Sequence, residues 1–485
     1  MKTITIDPIT RLEGHGKIEI FLNDAGNVEN AYLQIPELRG FEKFAEGRKA
    51  EDMPIITPRI CGVCPIAHHM AATKALDAAF NVEPTETAKK LRELMYNGNY
   101  IYDHTLHFYF LAAPDFVVGP DAPASERNIF GVLKAVGLDV GKEVIKHRSY
   151  GQKITQTLGG KATHPTCGLP GGMSKGLNEE ERQQIEDMAR SSIEFAKFTQ
   201  QIFNDVVLAK EDYVNMILSE PYQLDVYNMG IVDKNNHVNF YDGDIRVTDQ
   251  KGSEYTRFNQ PEYLEKVSEH VEPWTYSKFT YLKDIGWNGF KTGPESGIYR
   301  VGPLGRLNAA DGMSTPLANA EYKRMFKTLG GKPVQSTLAF HWARLIELMN
   351  ACEKTLELSL DPQITNTDLR NPVNEPGEGV GIVEAARGTL IHHYKLDKDG
   401  LVDKANLIVA TTNNYADICM SIRDAAKGLI KNGVVNDGLL NMVEMAFRAY
   451  DPCFGCSTHS LPGEGPLTVS IYDSNNNLYK TLDRL

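Results

Sequence analysis

The chain has 485 residues, of which 42% are hydrophobic and 24% charged, and it carries a formal net charge of −12. This balance is ordinary for a globular protein, and the acidic excess without any Lys/Arg-rich run excludes a nucleic-acid partner of the usual electrostatic kind. Nothing approaches the roughly 18 uninterrupted apolar residues of a membrane span: the most apolar window, 107–118, is broken by Pro114 and Asp115, and the first residues lack the apolar run of a secretory signal.

Residues 3–36 alternate apolar and polar side chains in three runs, with a turn at Asn23-Asp24-Ala25-Gly26-Asn27, which predicts antiparallel strands. Helical spacing follows over 65–80 and, after the start signal Pro84-Thr85-Glu86-Thr87, over 85–112. Further helical patterning covers 125–158 as a pair, 178–218 and 335–360, interrupted by a polar, strand-like insert at 220–257 and loop-rich sequence from 273 to 315. After Asn371-Pro372 comes a hairpin, Gly381–Tyr394 with a turn at Asp397-Lys398-Asp399-Gly400, then helices at 413–431 and 435–449 and a short strand, Leu467–Tyr472. With no repeat and no linker rich in Pro, Gly or Ser, the expected fold is mainly α with small antiparallel β appendages, one domain over 1–485.

Chemistry concentrates at the two ends. Cys61-Gly62-Val63-Cys64 and Cys453-Phe454-Gly455-Cys456 are separated by 388 residues. Seven cysteines, an odd number, do not form a disulfide framework, and a reducing, cytoplasmic setting fits them best. Cys167, Cys352 and Cys419 read as small core residues. Four thiolates make a soft metal site. The commonest use of two such pairs is structural zinc, and a cubane iron–sulfur cluster is the next alternative. Zinc ribbons, however, space their pairs about 15–20 residues apart, and a chain this long folds without a staple. Arg59 and His68 flank the first pair, and Asp451 and His459 the second. Groups of this kind tune a metal's ligands.

With these motifs the chain resembles the large, catalytic subunit of nickel–iron hydrogenases. The matching stretches are Arg11-Leu12-Glu13-Gly14-His15; Arg39-Gly40-Phe41-Glu42; Arg59 through Cys64; His104-x-x-His107; Glu384-Ala385-Ala386-Arg387-Gly388; and Asp451 through His459. The stretches 298–308 and 381–394 resemble the cytoplasmic, multimeric branch, which includes heterodisulfide-reductase-associated, NAD-reducing and deazaflavin-coupled enzymes.

The resemblance implies reversible, heterolytic cleavage of H2 at a nickel–iron centre whose iron carries CO and cyanide. Cys61, Cys64, Cys453 and Cys456 would bind nickel, Cys64 and Cys456 also bridging to iron, and the terminal Cys453 would take the proton. Glu13 would relay it onward, Arg387 would lie over the open face of the metals, and Asp115 and Asp451 would hold that guanidinium. Thr411 would bond a cyanide and His68 a bridging sulfur. Glu42, with His459 and the Leu407 carbonyl, would hold Mg2+ (or Fe). On residue type alone, Glu13 is a turn-capping carboxylate, and Glu42, 19 positions before Cys61, is a surface partner of Lys43 or Arg39.

This chain departs from the family's usual pattern at Ala386, commonly a proline, and at Phe454-Gly455. Residues 460–485 match a maturation extension removed after nickel insertion, so the functional chain is expected to end at His459. Without further cysteine motifs or a Gly-x-Gly-x-x-Gly loop, electrons must leave through an iron–sulfur small subunit, with further electron-transfer subunits beyond it. Two other readings stand beside this one: a non-catalytic relative of the quinone-site subunit of respiratory complex I, and a zinc-stabilised scaffold.

Overall fold

The computed structural model describes residues 2–458, 467–472 and 478–484. An N-terminal sheet of β1 (Lys2–Ile6), β2 (Lys17–Leu22) and β3 (Val28–Gln34) is antiparallel throughout, as the alternation requires. It buries Ile18, Ile20, Leu22 and Leu33 on one face.

The body is helical, around α1 (Pro65–Ala79), α2 (Glu86–Leu106), α3 (Leu138–Gly159), α4 (Glu179–Phe203) and α5 (Phe340–Ser359). Thr85 caps α2 by accepting from the Ala88 N–H, and Asn178 with Glu181 forms a capping box at the start of α4. α1 and α5 are buried nearly all round, as expected of helices in the middle of a large core. The polar insert folds as β4 (Tyr227–Val232), β5 (Asp244–Thr248) and β6 (Glu254–Phe258), the antiparallel part of a six-stranded sheet. The stretch read as loop also contains a buried helix, Gly302–Ala309, and a second helix, Pro316–Thr328, follows it. Tertiary burial outweighs the Gly and Pro content there.

The hairpin expected after residue 371 is a three-stranded meander of β7 (Glu378–Ala385), β8 (Gly388–Leu396) and β9 (Val402–Ile408). Its first turn is the pair Ala386-Arg387, where Gly388 takes φ +136°. The Asp397–Gly400 turn joins β8 to β9. α6 (Ala410–Leu429) and α7 (Asp437–Arg448) follow, and the described residues end in a hairpin of β10 (Leu467–Tyr472) and β11 (Leu478–Arg484).

α1 lies directly on β7. A Cβ at Gly379 would stand 2.2 Å from the Ala79 nitrogen, and one at Gly381 2.3 Å from the Ala71 oxygen. Glycine on the strand is what allows this approach, and it brings the first cysteine pair, at the head of α1, close to the Arg387 turn.

Candidate metal centre

Cys64 is the N-cap residue of α1, with Pro65 at the first helical position, where a missing N–H costs nothing. Cys453 follows Asp451, whose φ is +58°, and starts the short turn Phe454–Ser457. The two ends are stitched together by a parallel bridge between Glu13 and Cys453 and by the Phe454 N–H donating to the Glu13 carbonyl at 3.0 Å. All four cysteines are buried, none is in a disulfide, and their sulfurs lie within 4.8 Å of one another. Cys61 Sγ is 3.4 Å from Cys453 Sγ, and Cys64 Sγ is 3.7 Å from Cys456 Sγ.

Four converging sulfurs with a helix N-terminus behind them suit a soft metal centre. Burial disfavours the Cys61 thiolate, yet hydrogen bonds from Cys453, Cys456 and Cys64 and the charge of Arg387 hold its pKa well below the usual thiol range. Burial pushes Cys453 and Cys456 well up. A soft cation bound among the four sulfurs would favour the thiolate form of all of them.

Glu13 faces this cluster. One of its carboxylate oxygens accepts from Cys453 Sγ at 2.9 Å and from the Gly455 N–H at 3.0 Å. Thr411 Oγ1 accepts from the Cys453 N–H at 3.0 Å, which leaves the hydroxyl hydrogen to donate elsewhere.

Arg387 is held differently from the sequence expectation. Its two terminal nitrogens bond both oxygens of Asp103 at 3.1 Å, and one lies 2.8 Å from Asp451. Asp115 instead pairs with Arg11 and Arg448 and accepts from Asn441. It anchors α7, not the guanidinium. Sequence reasoning misses Asp103 although it directly precedes the His104-x-x-His107 motif; a carboxylate on the apolar face of a helix is the available signal. Burial lifts the Asp451 carboxyl to about 7, with Arg387 opposing the rise and Asp103 adding to it.

His68 sits one turn after Cys64 on α1, and its Nδ1 is 3.1 Å from His392 Nε2. His392 Nδ1 in turn bonds the Tyr394 hydroxyl at 2.7 Å. Glu42 is buried, not a surface partner of its neighbours: Lys43 pairs with Glu46, and Arg39 with Glu37. Glu42 accepts from the Leu407 N–H at 2.8 Å, which brings those two expected ligands together. A cavity of about 610 Å³ lined by Glu42, Tyr263, Glu269, Glu378 and His393 opens beside them. His459 lies outside the described residues, although its neighbour Thr458 accepts from the Arg39 N–H, beside the Glu42 helix.

Around the centre, Arg306 bonds Glu347 with two nitrogens and Glu384 with the third, and His104 bonds Glu347 at 2.9 Å. All of these groups are buried. The network locks α2, α5 and β7 together under the Arg387 turn.

The profile of the family described as "Nickel-dependent hydrogenase" matches residues 39–126 and 143–459, and one described as HoxL-like matches 3–38. An F420-non-reducing hydrogenase iron-sulfur subunit of Archaeoglobus profundus is 50% identical over 484 residues, 99% of each chain. The beta subunit of the NAD-reducing hydrogenase HoxS of Cupriavidus necator is 36% identical over 98% of each chain. Among solved structures, an NAD+-reducing nickel–iron hydrogenase in its H2-reduced state superposes with a TM-score of 0.87 at 36% identity, covering 95% of this chain and 100% of its own.

Proposed function

The chain belongs to the nickel-dependent hydrogenase family, and from that membership we propose which of its residues carry the reversible reaction H2 ⇌ 2 H+ + 2 e−. It is a hydrogenase large subunit, thus an oxidoreductase, and the scaffold and non-catalytic readings fall away. The observation that carries the assignment of roles is the convergence of Cys61, Cys64, Cys453 and Cys456 on one buried point, with Glu13 hydrogen-bonded to Cys453.

A nickel–iron centre held by these four sulfurs, with CO and cyanide on its iron, supplies the polarisation of H–H and the uptake of two electrons. With such a centre bound, Cys453 Sγ would be the base for one of the two protons of H2. Its hydrogen bond to Glu13 then gives that proton a carboxylate oxygen 2.9 Å away, within transfer distance without a mediating water. The Gly455 N–H on the same oxygen keeps it aimed at the sulfur.

Arg387, charged and pinned by two carboxylates, sets a fixed positive field beside the thiolates. Because Asp103 grips it through two parallel bonds, the field needs no rearrangement during reaction. Thr411, with its hydroxyl hydrogen available, would be the donor for a cyanide nitrogen, and His68 would bond a cysteine sulfur of the centre. Glu42, the Leu407 carbonyl and His459 are the ligands for Mg2+ or iron, a hard ion that keeps several waters; the approach of Glu42 to Leu407 supports this.

The relatives are named as single subunits of hydrogenases, which supports assembly of this chain with other subunits; the family resemblance adds that these are an iron–sulfur small subunit and further electron-transfer subunits, in a cytoplasmic setting. No helix among the described residues is long and apolar enough to cross a membrane. Infrared spectroscopy on the nickel-loaded chain with its small subunit tests the reading. Carbon monoxide and cyanide stretching bands are expected, and an active, metal-loaded enzyme without them would refute the proposed centre.

A further inference from the structure

Among the described residues every buried arginine but one sits in an ion pair with a carboxylate. The exception is Arg344 on α5, 1% exposed. Its Nη2 donates to the Ala449 carbonyl at 2.9 Å, while its Nε and Nη1 have no hydrogen-bond partner among the described residues. A buried guanidinium with two idle donors is costly, and native structures rarely leave one so.

Two further idle nitrogens lie close by. His107 Nε2 meets the Arg448 carbonyl at 2.9 Å, the residue before Arg344's own acceptor, so both heads end on consecutive carbonyls where α7 finishes. His341, one turn before Arg344 on α5, stacks on His107 with ring centroids 5.6 Å apart. The Nδ1 atoms of both histidines have no partner among the described residues.

We infer that Arg344, His107 and His341 hold an internal water between α2, α5 and the end of α7, immediately behind the Arg387–Asp451 pair. The donor pattern selects the ligand. Arg344 offers only hydrogens. His107 spends its ring hydrogen on the Arg448 carbonyl, so its Nδ1 offers only a lone pair. Burial first, and Arg344 second, hold both rings neutral: His107 well below the usual histidine range and His341 at about 3. The occupant must therefore accept from a guanidinium and donate to an imidazole. Water does both, whereas a halide donates nothing and would face the lone pair of His107. Filled in this way, the site gives Arg344 a polar partner without a carboxylate.

The test is a high-resolution crystal structure of the assembled enzyme, with a second crystal soaked in bromide. Density for one water is expected within hydrogen-bond distance of Arg344 Nη1 or Nε and of His107 Nδ1, with no bromide anomalous signal there. A bromide peak would make the site an anion site and overturn the proposal, as would empty density. In Arg344→Met, which keeps the length and removes the donors, the water should be lost; its persistence would show that the arginine does not hold it. Should that variant fail to fold, the wild-type crystals decide alone. Either result leaves the four-cysteine assignment untouched, since that rests on infrared bands.

Discussion

At the scale of single residues, proton transfer and charge placement can be separated. Glu13→Gln keeps the Gly455 hydrogen bond through the side-chain carbonyl but cannot accept a proton. Hydrogen–deuterium exchange should fall by about 10²-fold or more, with nickel and iron content unchanged. Undiminished exchange would remove Glu13 from the route. The two aspartates that the sequence alone confuses should likewise part. Asp103→Asn loosens the two-pronged grip on Arg387, so turnover should fall and the infrared bands shift. Asp115→Asn leaves Arg448 with Glu444 as its one remaining carboxylate and Arg11 with none in direct contact among the described residues and should cost about 1–3 kcal/mol of stability by denaturant titration, with the bands where they were. The reverse pattern would restore Asp115 to the centre.

At the scale of elements, the close seat of α1 on β7 holds the first cysteine pair against the Arg387 turn. Gly381→Ala would put a methyl 2.3 Å from the Ala71 oxygen and the Ala75 nitrogen, both backbone atoms that cannot swing aside. The helix must lift, at a cost of about 1–3 kcal/mol, and nickel retention should drop; full nickel loading in this variant would show the contact to be slack. Much of this architecture is legible in the sequence. The N-terminal strands, the helices at 65–80, 85–112 and 335–360, and the cysteine pairs announce themselves by periodicity or spacing. The Arg387 turn does not, because Ala386-Arg387 lacks the Asn-Gly or Asp-Gly chemistry that marks a two-residue hairpin turn. Nor does the choice of Asp103 over Asp115. The two lie 12 residues apart, about 120° around a regular helix, and the π-helical stretches His107–Ala112 and Pro114–Val118 break the regular phase between them. Helical periodicity therefore does not tell which aspartate reaches the guanidinium; the contacts of Asp103 with Arg387 and of Asp115 with Arg448 do.

At the scale of the whole molecule, the centre joins the first strands' loop to the last helix's exit. Glu13 and Cys453 are 440 positions apart yet bonded, and Arg39 holds Thr458. Metal binding should therefore stabilise the closed chain by mass action. Stripping nickel should lower the melting temperature and open the segment around Cys453 to protease before the helical body is cut, and equal resistance of both forms would mean that the ends are held without the metal. The same logic bears on residues 460–485. The family match stops at 459, and among the described residues β10 and β11 pair only with each other, so these two strands add nothing to the sheets that frame the centre. If closure at Cys453, Cys456 and His459 is the last step of assembly, the extension has served its purpose once the metals are in. Intact mass spectrometry of H2-oxidising enzyme should give a large subunit ending at His459, whereas metal-free precursor should retain the residues that follow it. Full activity in a chain that keeps the extension would show that closure does not depend on its removal.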